Sequence, residues 1–279
     1  MVPAALAPSE RATARAFGEQ WKILSGLSGV FRAEFQSYLD PLSVSELTGL
    51  TVLDAGCGSG KFAFAAVEAG AKTVIAVDLS DAVDVAYANL RGLPGAHVVQ
   101  ASIYQLPLRP GHVDFAYSIG VLHHLPDPHK GFQQIVPLLR PGGRILMWLY
   151  ALEGNEAFVR WLDPLRSRVL SRLPSWVNRV IATALAAPLW CVIRLGYLPL
   201  ARWGHASRLP YAPYFLYFSR LGFSTFWGTV YDKLVPPISF YLTREEISGW
   251  ILEEGLTMIH LRHRNRNSWS CLALKGPPA

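Results

Sequence analysis

The run Val52-Leu53-Asp54-Ala55-Gly56-Cys57-Gly58-Ser59-Gly60 constrains this chain more than any other stretch. An apolar strand pattern ends in an acid and turns through three glycines at alternate positions. Glycine supplies positive φ and lets a backbone approach a ligand where a Cβ would clash. The helical pattern Lys61-Phe62-Ala63-Phe64-Ala65-Ala66-Val67 follows, so the segment predicts a strand, a ligand-holding loop and a helix. The spacing is D-x-G-x-G-x-G rather than the G-x-G-x-x-G of a generic dinucleotide fold. Asp54 stands where a carboxylate could accept hydrogen bonds from a ligand's ammonium group.

Strand and helix patterns alternate beyond the loop. Lys72 to Val77 reads as a second strand closed by Asp78, with a helix from Ser80 or Asp81 to Leu90. His97 to Ala101 and Val113 to Ser118 read as the third and fourth strands. A helix through Lys130 to Leu139, the turn Pro141-Gly142-Gly143 and a fifth strand, Arg144 to Tyr150, complete the series. Repeats of this kind predict an α/β, Rossmann-like, doubly wound sheet, mostly parallel. After a break, Thr243-Arg244-Glu245-Glu246 opens a capped helix ending before Gly255. Leu256 to Arg264 and Trp269 to Lys275 then predict about seven strands in all, with an antiparallel closing strand. The expected organisation is an N-terminal helical lid over 1–45, a core over 46–150, a helical insertion over 151–240, and a helix with two closing strands over 241–279.

The insertion carries the charge asymmetry. Residues 157–231 hold nine arginines, five tryptophans and a single acid, Asp163. Such a block points to an anionic partner. It contains no lysine and no recognised nucleic-acid module, so nucleic acid is not the expected partner. A peripheral platform on an anionic membrane surface is one reading, with tryptophans at the interface. A pocket for an anionic or lipid-linked substrate is another, and a helical subdomain with solvated arginines is a third. The longest charge-free run, Val180 to Ile193, is interrupted by Pro188 and predicts no membrane span. Met1 to Gly18 lacks the pattern of a secretory signal. Three widely spaced cysteines, Cys57, Cys191 and Cys271, suit a cytoplasmic setting and no metal site.

The glycine loop with its preceding acid resembles motif I of the class I S-adenosylmethionine (SAM)-dependent methyltransferases. Val99-Gln100-Ala101-Ser102-Ile103-Tyr104-Gln105-Leu106-Pro107-Leu108 is similar to the segment that in those proteins usually reads apolar–x–x–Asp–x–x–x–Leu–Pro–Phe, with Ser102 in place of the acid. Phe115 to Pro128, containing Leu122-His123-His124-Leu125-Pro126-Asp127, resembles the stretch after the fourth strand in small-molecule members. The ends resemble bacterial relatives encoded with saccharide and secondary-metabolite pathways. The resemblance implies SAM as cofactor. It implies a donor site drawn from Asp54, Gly56, Cys57, Gly58, Gly60, Asp78, Leu79, Ser102, Ile103, Ser118, Ile119 and Gly120. Asp78 would bond the ribose hydroxyls, Ser102 the adenine amino group, and Ile103 would pack on the adenine face.

The chemistry expected is methyl transfer to a hydroxyl of a small or lipid-linked metabolite. A hydroxyl acceptor needs a base, and His124 or His123 lies just past the fourth strand with a pKa suited to the task. The acids of the metal-binding subgroup are missing, since Gly120 and His123 stand in their places, so no metal is expected. Trp21, Tyr150, Tyr231 and Asp232 are candidate substrate contacts. Carbon methylation of a quinone or isoprenoid, a SAM-binding protein without catalysis, and an NAD-dependent oxidoreductase are the alternatives.

Overall fold

The computed structural model describes residues 8–23, 31–205 and 209–277. Parts of the expected lid, 1–7 and 24–30, and Arg208 of the basic block lie outside the described residues. Seven strands form one sheet in the order β3-β2-β1-β4-β5-β7-β6. They are β1 Thr51–Ala55, β2 Thr73–Asp78, β3 Ala96–Gln100, β4 Val113–Ile119, β5 Leu139–Tyr150, β6 Leu256–Arg264 and β7 Ser268–Lys275. The first five pair in parallel, and β7 runs antiparallel between β5 and β6. The strand order reverses between β1 and β4. Ligands of such sheets bind there, at the carboxyl ends of the strands.

The amphipathic helices cover both faces. Helices α1 (Pro8–Ile23), α2 (Phe31–Leu39), α3 (Lys61–Glu68), α4 (Ala82–Leu90) and α5 (Pro128–Ile135) precede the insertion, and α11 (Arg244–Glu253) follows it. One core layer gathers Leu53, Ala116, Phe132, Ile135, Met147, Ile247 and Trp250. The other gathers Phe35, Val52, Phe62, Ala76, Phe115, Tyr117 and Leu146. The expected capping box is present, with Thr243 Oγ1 accepting from the Glu246 N–H and the Glu246 carboxylate accepting from the Thr243 N–H.

Two boundaries differ from expectation. Strand β5 starts at Leu139, before the Pro-Gly-Gly turn, because Leu139 already pairs with Val113 and the extra residues are absorbed as a bulge before Phe115 meets Arg144. The insertion is helical, as its pattern suggested: α6 (Asp163–Arg168), α7 (Ser175–Val192), α8 (Leu198–Arg202), α9 (Ala212–Leu221) and α10 (Phe223–Leu234). However, Pro188 does not end α7. With the wider turn Ile193–Tyr197 it leads into α8, giving a continuous helical run, Ser175–Arg202, of 28 residues. By length and composition alone that helix is apolar enough to cross a membrane, longer than the interrupted run Val180 to Ile193 suggested. It packs one stripe, Ala182, Ala186 and Ile193, against α9 and α10 through Phe218, Leu221 and Phe226, and against Tyr231.

The sheet layers make a simple test. Phe132 is completely buried between α5 and the sheet. Phe132→Ala should cost about 3–5 kcal/mol of stability, read from the shift in urea midpoint at unchanged slope. A loss under about 1 kcal/mol would show that this layer does not carry the core.

Candidate active site

The glycine loop is pinned to the end of β2. Gly56 and Cys57 donate their N–H groups to the Val77 carbonyl at 2.8 and 2.9 Å. Asp78 Oδ2 accepts the Gly58 N–H at 2.8 Å, while Oδ1 accepts the Ser80 N–H at 2.8 Å and the Ser80 hydroxyl at 2.7 Å. Gly56, Gly58 and Gly60 have φ of +95°, +52° and +75°. A Cβ on Gly56 would fall 2.3 Å from Val121, and one on Gly58 would fall 2.6 Å from the Trp21 ring. The loop therefore needs glycine both for its dihedrals and for the side chains laid against it.

Over the loop opens a cavity of about 550 Å³. Asp78, Leu79, Ile103, Ile119, Gly120, His124 and Gly56 line it, and so do Trp21, Tyr150 and Asp232. Helix α1 forms one whole wall with Glu10, Thr13, Ala14, Phe17, Gln20 and Trp21, a stripe at helical spacing. Aromatic rings make up much of the remaining lining: Tyr38, Trp148, Tyr150, Tyr214, Tyr217 and Phe218. Sequence reasoning did not single out Glu10, Phe17, Trp148, Lys233 or Arg264. The apolar stripe of α1 was a usable signal, but the rest come from separate elements whose meeting the local pattern does not encode.

Several expected site residues do not reach the cavity. Asp54 is buried beneath the loop, where its Oδ2 accepts the Tyr117 hydroxyl at 3.0 Å. That placement ties β1 to β4 and does not present the carboxylate to an ammonium group. Cys57 is buried with its thiol pushed well up by loss of solvent, so it is no nucleophile. Gly58 and Gly60 shape the loop, and Ser118 turns its hydroxyl back to the Ala55 carbonyl at 3.0 Å. Ser102 caps the turn Ile103–Gln105, accepting the Tyr104 N–H at 3.2 Å, and donates to Glu10 Oε1 at 2.7 Å. Tyr231 faces the insertion and stacks on Trp227.

The two histidines separate. His123 is fully buried against Tyr150, with ring centroids 4.0 Å apart, and neither nitrogen has a hydrogen bond among the described residues. The proton-transfer role considered for it is withdrawn. His124 Nδ1 lies 2.8 Å from the Ile238 carbonyl. A carbonyl only accepts, so Nδ1 carries the proton and Nε2 keeps its lone pair. That Nε2 is without a partner among the described residues. Burial lowers the His124 pKa from its ordinary 6.5, opposed by Asp232, so the ring is neutral at neutral pH. Nearby, the Tyr150 hydroxyl donates to Asp232 Oδ2 at 2.7 Å. Lys233 sits over the Tyr150 ring at 4.6 Å, its pKa lowered to about 8 by burial.

Residues 53–147 match the family described as "Methyltransferase domain". The whole fold is similar to a SAM-dependent methyltransferase from Aquifex aeolicus, at 14% identity and a TM-score of 0.53, covering 92% of this chain and 98% of that one. It is also similar to magnesium protoporphyrin IX methyltransferase from Synechocystis with bound SAM, at 13% identity and a TM-score of 0.52 over 98% of this chain and all of that one. The chain thus carries a stretch that matches a methyltransferase-domain family, and as a whole it shares the fold of SAM-dependent methyltransferases. Among curated proteins, tRNA U34 carboxymethyltransferase of Klebsiella pneumoniae is 34% identical over 117 residues, 40% of this chain and 35% of the relative. That of Idiomarina loihiensis is 32% identical over 122 residues, 42% and 38% of the two chains. The chain thus spans little more than a third of the curated relatives it matches.

These names correct two expectations. The acceptor was expected to be a hydroxyl of a small or lipid-linked metabolite, with a quinone or isoprenoid as the alternative, and nucleic acid was set aside as a partner. Proteins named for tRNA stand against both. The absence of lysine from 157–231 was weak ground, since arginine alone makes strong phosphate contacts.

Asp54 supplies a pH test. Burial raises its pKa from 3.8 to about 8, with the Tyr117 hydroxyl opposing and Asp78 adding to the rise. Between those values the folded chain holds a proton that the unfolded chain has released, so this group makes stability fall as pH rises. Asp54→Asn removes that dependence and retains an acceptor for Tyr117. Its unfolding temperature should gain on the wild type from about pH 5 to about pH 8, read by calorimetry. A difference that stays constant across that window would contradict the assignment.

Proposed function

We propose that this chain transfers a methyl group from SAM to a planar nucleophile held in the aromatic end of the cavity, with a nucleoside ring of tRNA as the first acceptor to test. The observation that carries the reading is continuity. The glycine loop through Gly56, the ring of His124 with its unpartnered, buried Nε2, and the rings of Trp148, Tyr150 and Tyr214 all border one cavity. Enzymes that act on a nucleobase hold it out of the stack between aromatic side chains and read its edge by hydrogen bonds. Asp232, Lys233, Asn265 and Asn267 supply donors and acceptors on that wall. The relatives' names add tRNA to this chemistry, but their matched stretch covers the donor half of the chain and not the insertion.

SAM supplies an electrophilic methyl on a cationic sulfur, and the protein's part is alignment, exclusion of water and removal of a proton. Asp78 stands at the loop with lone pairs beyond those that brace Gly58 and Ser80, in reach of ribose hydroxyls. Trp21 covers the loop and Phe17 packs on His124, ring centroids 4.9 Å apart, so α1 shields the donor from solvent. His124 Nε2 takes the acceptor's proton while Nδ1–H stays on the Ile238 carbonyl, which holds the ring in place.

Labelled SAM incubated with the protein and total tRNA should label ribonuclease-sensitive material, with the mass of the added group read on the released nucleosides. His124→Ala should lower turnover about 10²–10⁴-fold with SAM affinity within about threefold. The wild-type profile of kcat/KM should lose activity only below pH 6.5, because burial lowers the His124 pKa from that value. Tight SAM binding with tRNA left unlabelled would reject the nucleobase acceptor. Unchanged turnover in the variant would reject the base.

The outer face of the insertion favours a second reading, of place rather than chemistry. Trp161, Trp176 and Trp203 are 70%, 62% and 72% exposed, and Leu195 is 80% exposed. Arg160, Arg168, Arg172, Arg179, Arg194 and Arg202 are exposed among them. Arg166 is withdrawn from the set, since it is buried and paired with Asp163 at 2.7 Å. Indole rings with arginines suit a peripheral seat of a cytoplasmic enzyme on an anionic bilayer. The protein should co-sediment with phosphatidylglycerol vesicles, and Trp176→Ser with Trp203→Ser should weaken this about tenfold or more. Binding indifferent to both lipid charge and the double substitution would reject the seat.

A further inference from the structure

Resting on SAM as the cofactor, we infer that Glu10 is the residue that recognises the adenine 6-amino group, and that Ser102 holds it in position. The segment after β3 puts Ile103 on the cavity wall and keeps the Ser102 hydroxyl buried behind it. That hydroxyl is already committed. It donates to Glu10 Oε1 at 2.7 Å, and its oxygen accepts the Tyr104 N–H at 3.2 Å. Ser102 therefore serves a ligand through Glu10 rather than directly.

The placement of Glu10 fits that role. Its side chain is only 7% exposed, yet it lines the cavity beside Leu79 and Ile103, which form apolar walls for a flat ring. A buried carboxylate is costly unless donors reach both its oxygens. Ser102 serves Oε1, and the 6-amino group of an adenine is the donor assigned to Oε2. Helix geometry agrees with the length of such a ligand. Glu10 and Trp21 are eleven residues apart on α1, roughly 16 Å along the axis. Between them Gly18 packs on Ser80, whose hydroxyl is bound to Asp78. One helix thus runs from the adenine end, past the ribose carboxylate, to the glycine loop. Glu10 is supplied by an element far in sequence from the sheet motifs, so recognition of the base and closure of the site by α1 are one event.

The test compares two ligands that differ at the atom concerned. S-inosylhomocysteine carries an oxygen in place of the 6-amino group of S-adenosylhomocysteine. By calorimetry the wild type should bind the adenosyl ligand at least tenfold more tightly. Glu10→Gln, nearly isosteric, should bring that ratio to about threefold or less, because an amide can turn its N–H₂ toward an oxygen. Ser102→Ala should keep the preference but weaken the adenosyl ligand several-fold. Equal loss of both ligands in Glu10→Gln, or no loss of either, would overturn the assignment while leaving SAM as cofactor intact. A wild type that binds neither adenosyl ligand nor SAM would overturn the cofactor reading together with it.

Discussion

Everything at the mouth of the sheet depends on the carboxylate of Asp78. Its two oxygens accept from Gly58 and Ser80, so one side chain fixes the glycine loop after β1 to the turn after β2. The Val77 carbonyl doubles that tie by accepting from Gly56 and Cys57. Held on both sides, the loop keeps its positive φ angles, and α3 begins at a fixed angle to the sheet. The same carboxylate is half-buried, its pKa raised by loss of solvent and restrained by those donors. Loop shape and ligand-facing charge are thus a single arrangement.

Elements outside the sheet finish the cavity. Helix α1 lays a stripe along it, the insertion contributes Tyr214, Tyr217, Asp232 and Lys233, and the β6–β7 hairpin brings Arg264. Arg264 lies over the rings of Tyr38 and Tyr217, at 4.5 and 5.2 Å, joining three distant segments at one guanidinium. Water is excluded by parts that share no local motif. That division explains why the stretch 53–147 matches a family while the acceptor end has to be read from geometry.

The sheet was legible because alternating strand and helix patterns have few ways to pack, and the glycine loop marks where the ligand goes. The antiparallel closing strand was expected as well, whereas the strand order came only from the structure. Local pattern failed where neighbours decide. His123 and His124 are adjacent in sequence, yet one short turn sends the first beneath Trp148 and Tyr150 and the second to the cavity wall. Asp54 looked like a ligand residue because it precedes the glycines, but the strand pleat directs it to Tyr117. Pro188 was read as an interruption of the apolar run, yet packing of Ala182 and Ala186 accompanies a helix that continues through it. Glu10 was invisible for a similar reason: a glutamate in the first turn of a helix reads as favourable with the helix dipole, and only its meeting with Ser102 shows otherwise.

The charges around the cavity form a consistent set for a cationic donor. Desolvation biases His124 toward its neutral form and lowers Lys233 to about 8, so the bases on the wall carry less positive charge than their types suggest. The acids on the same wall, Glu10, Glu34, Asp78 and Asp232, are all paired with hydrogen-bond donors: Ser102, Lys61, Gly58 with Ser80, and Tyr150. The cavity lining thus sets four paired carboxylates beside Lys61, Lys233 and Arg264. In the proposed reaction the proton taken from the acceptor would place positive charge on the His124 ring. Asp232 opposes the desolvation of His124 and so favours its charged form at that moment. Carboxylates placed to receive a cationic donor would then also favour the imidazolium formed in the proposed proton transfer, linking the two through the same few side chains.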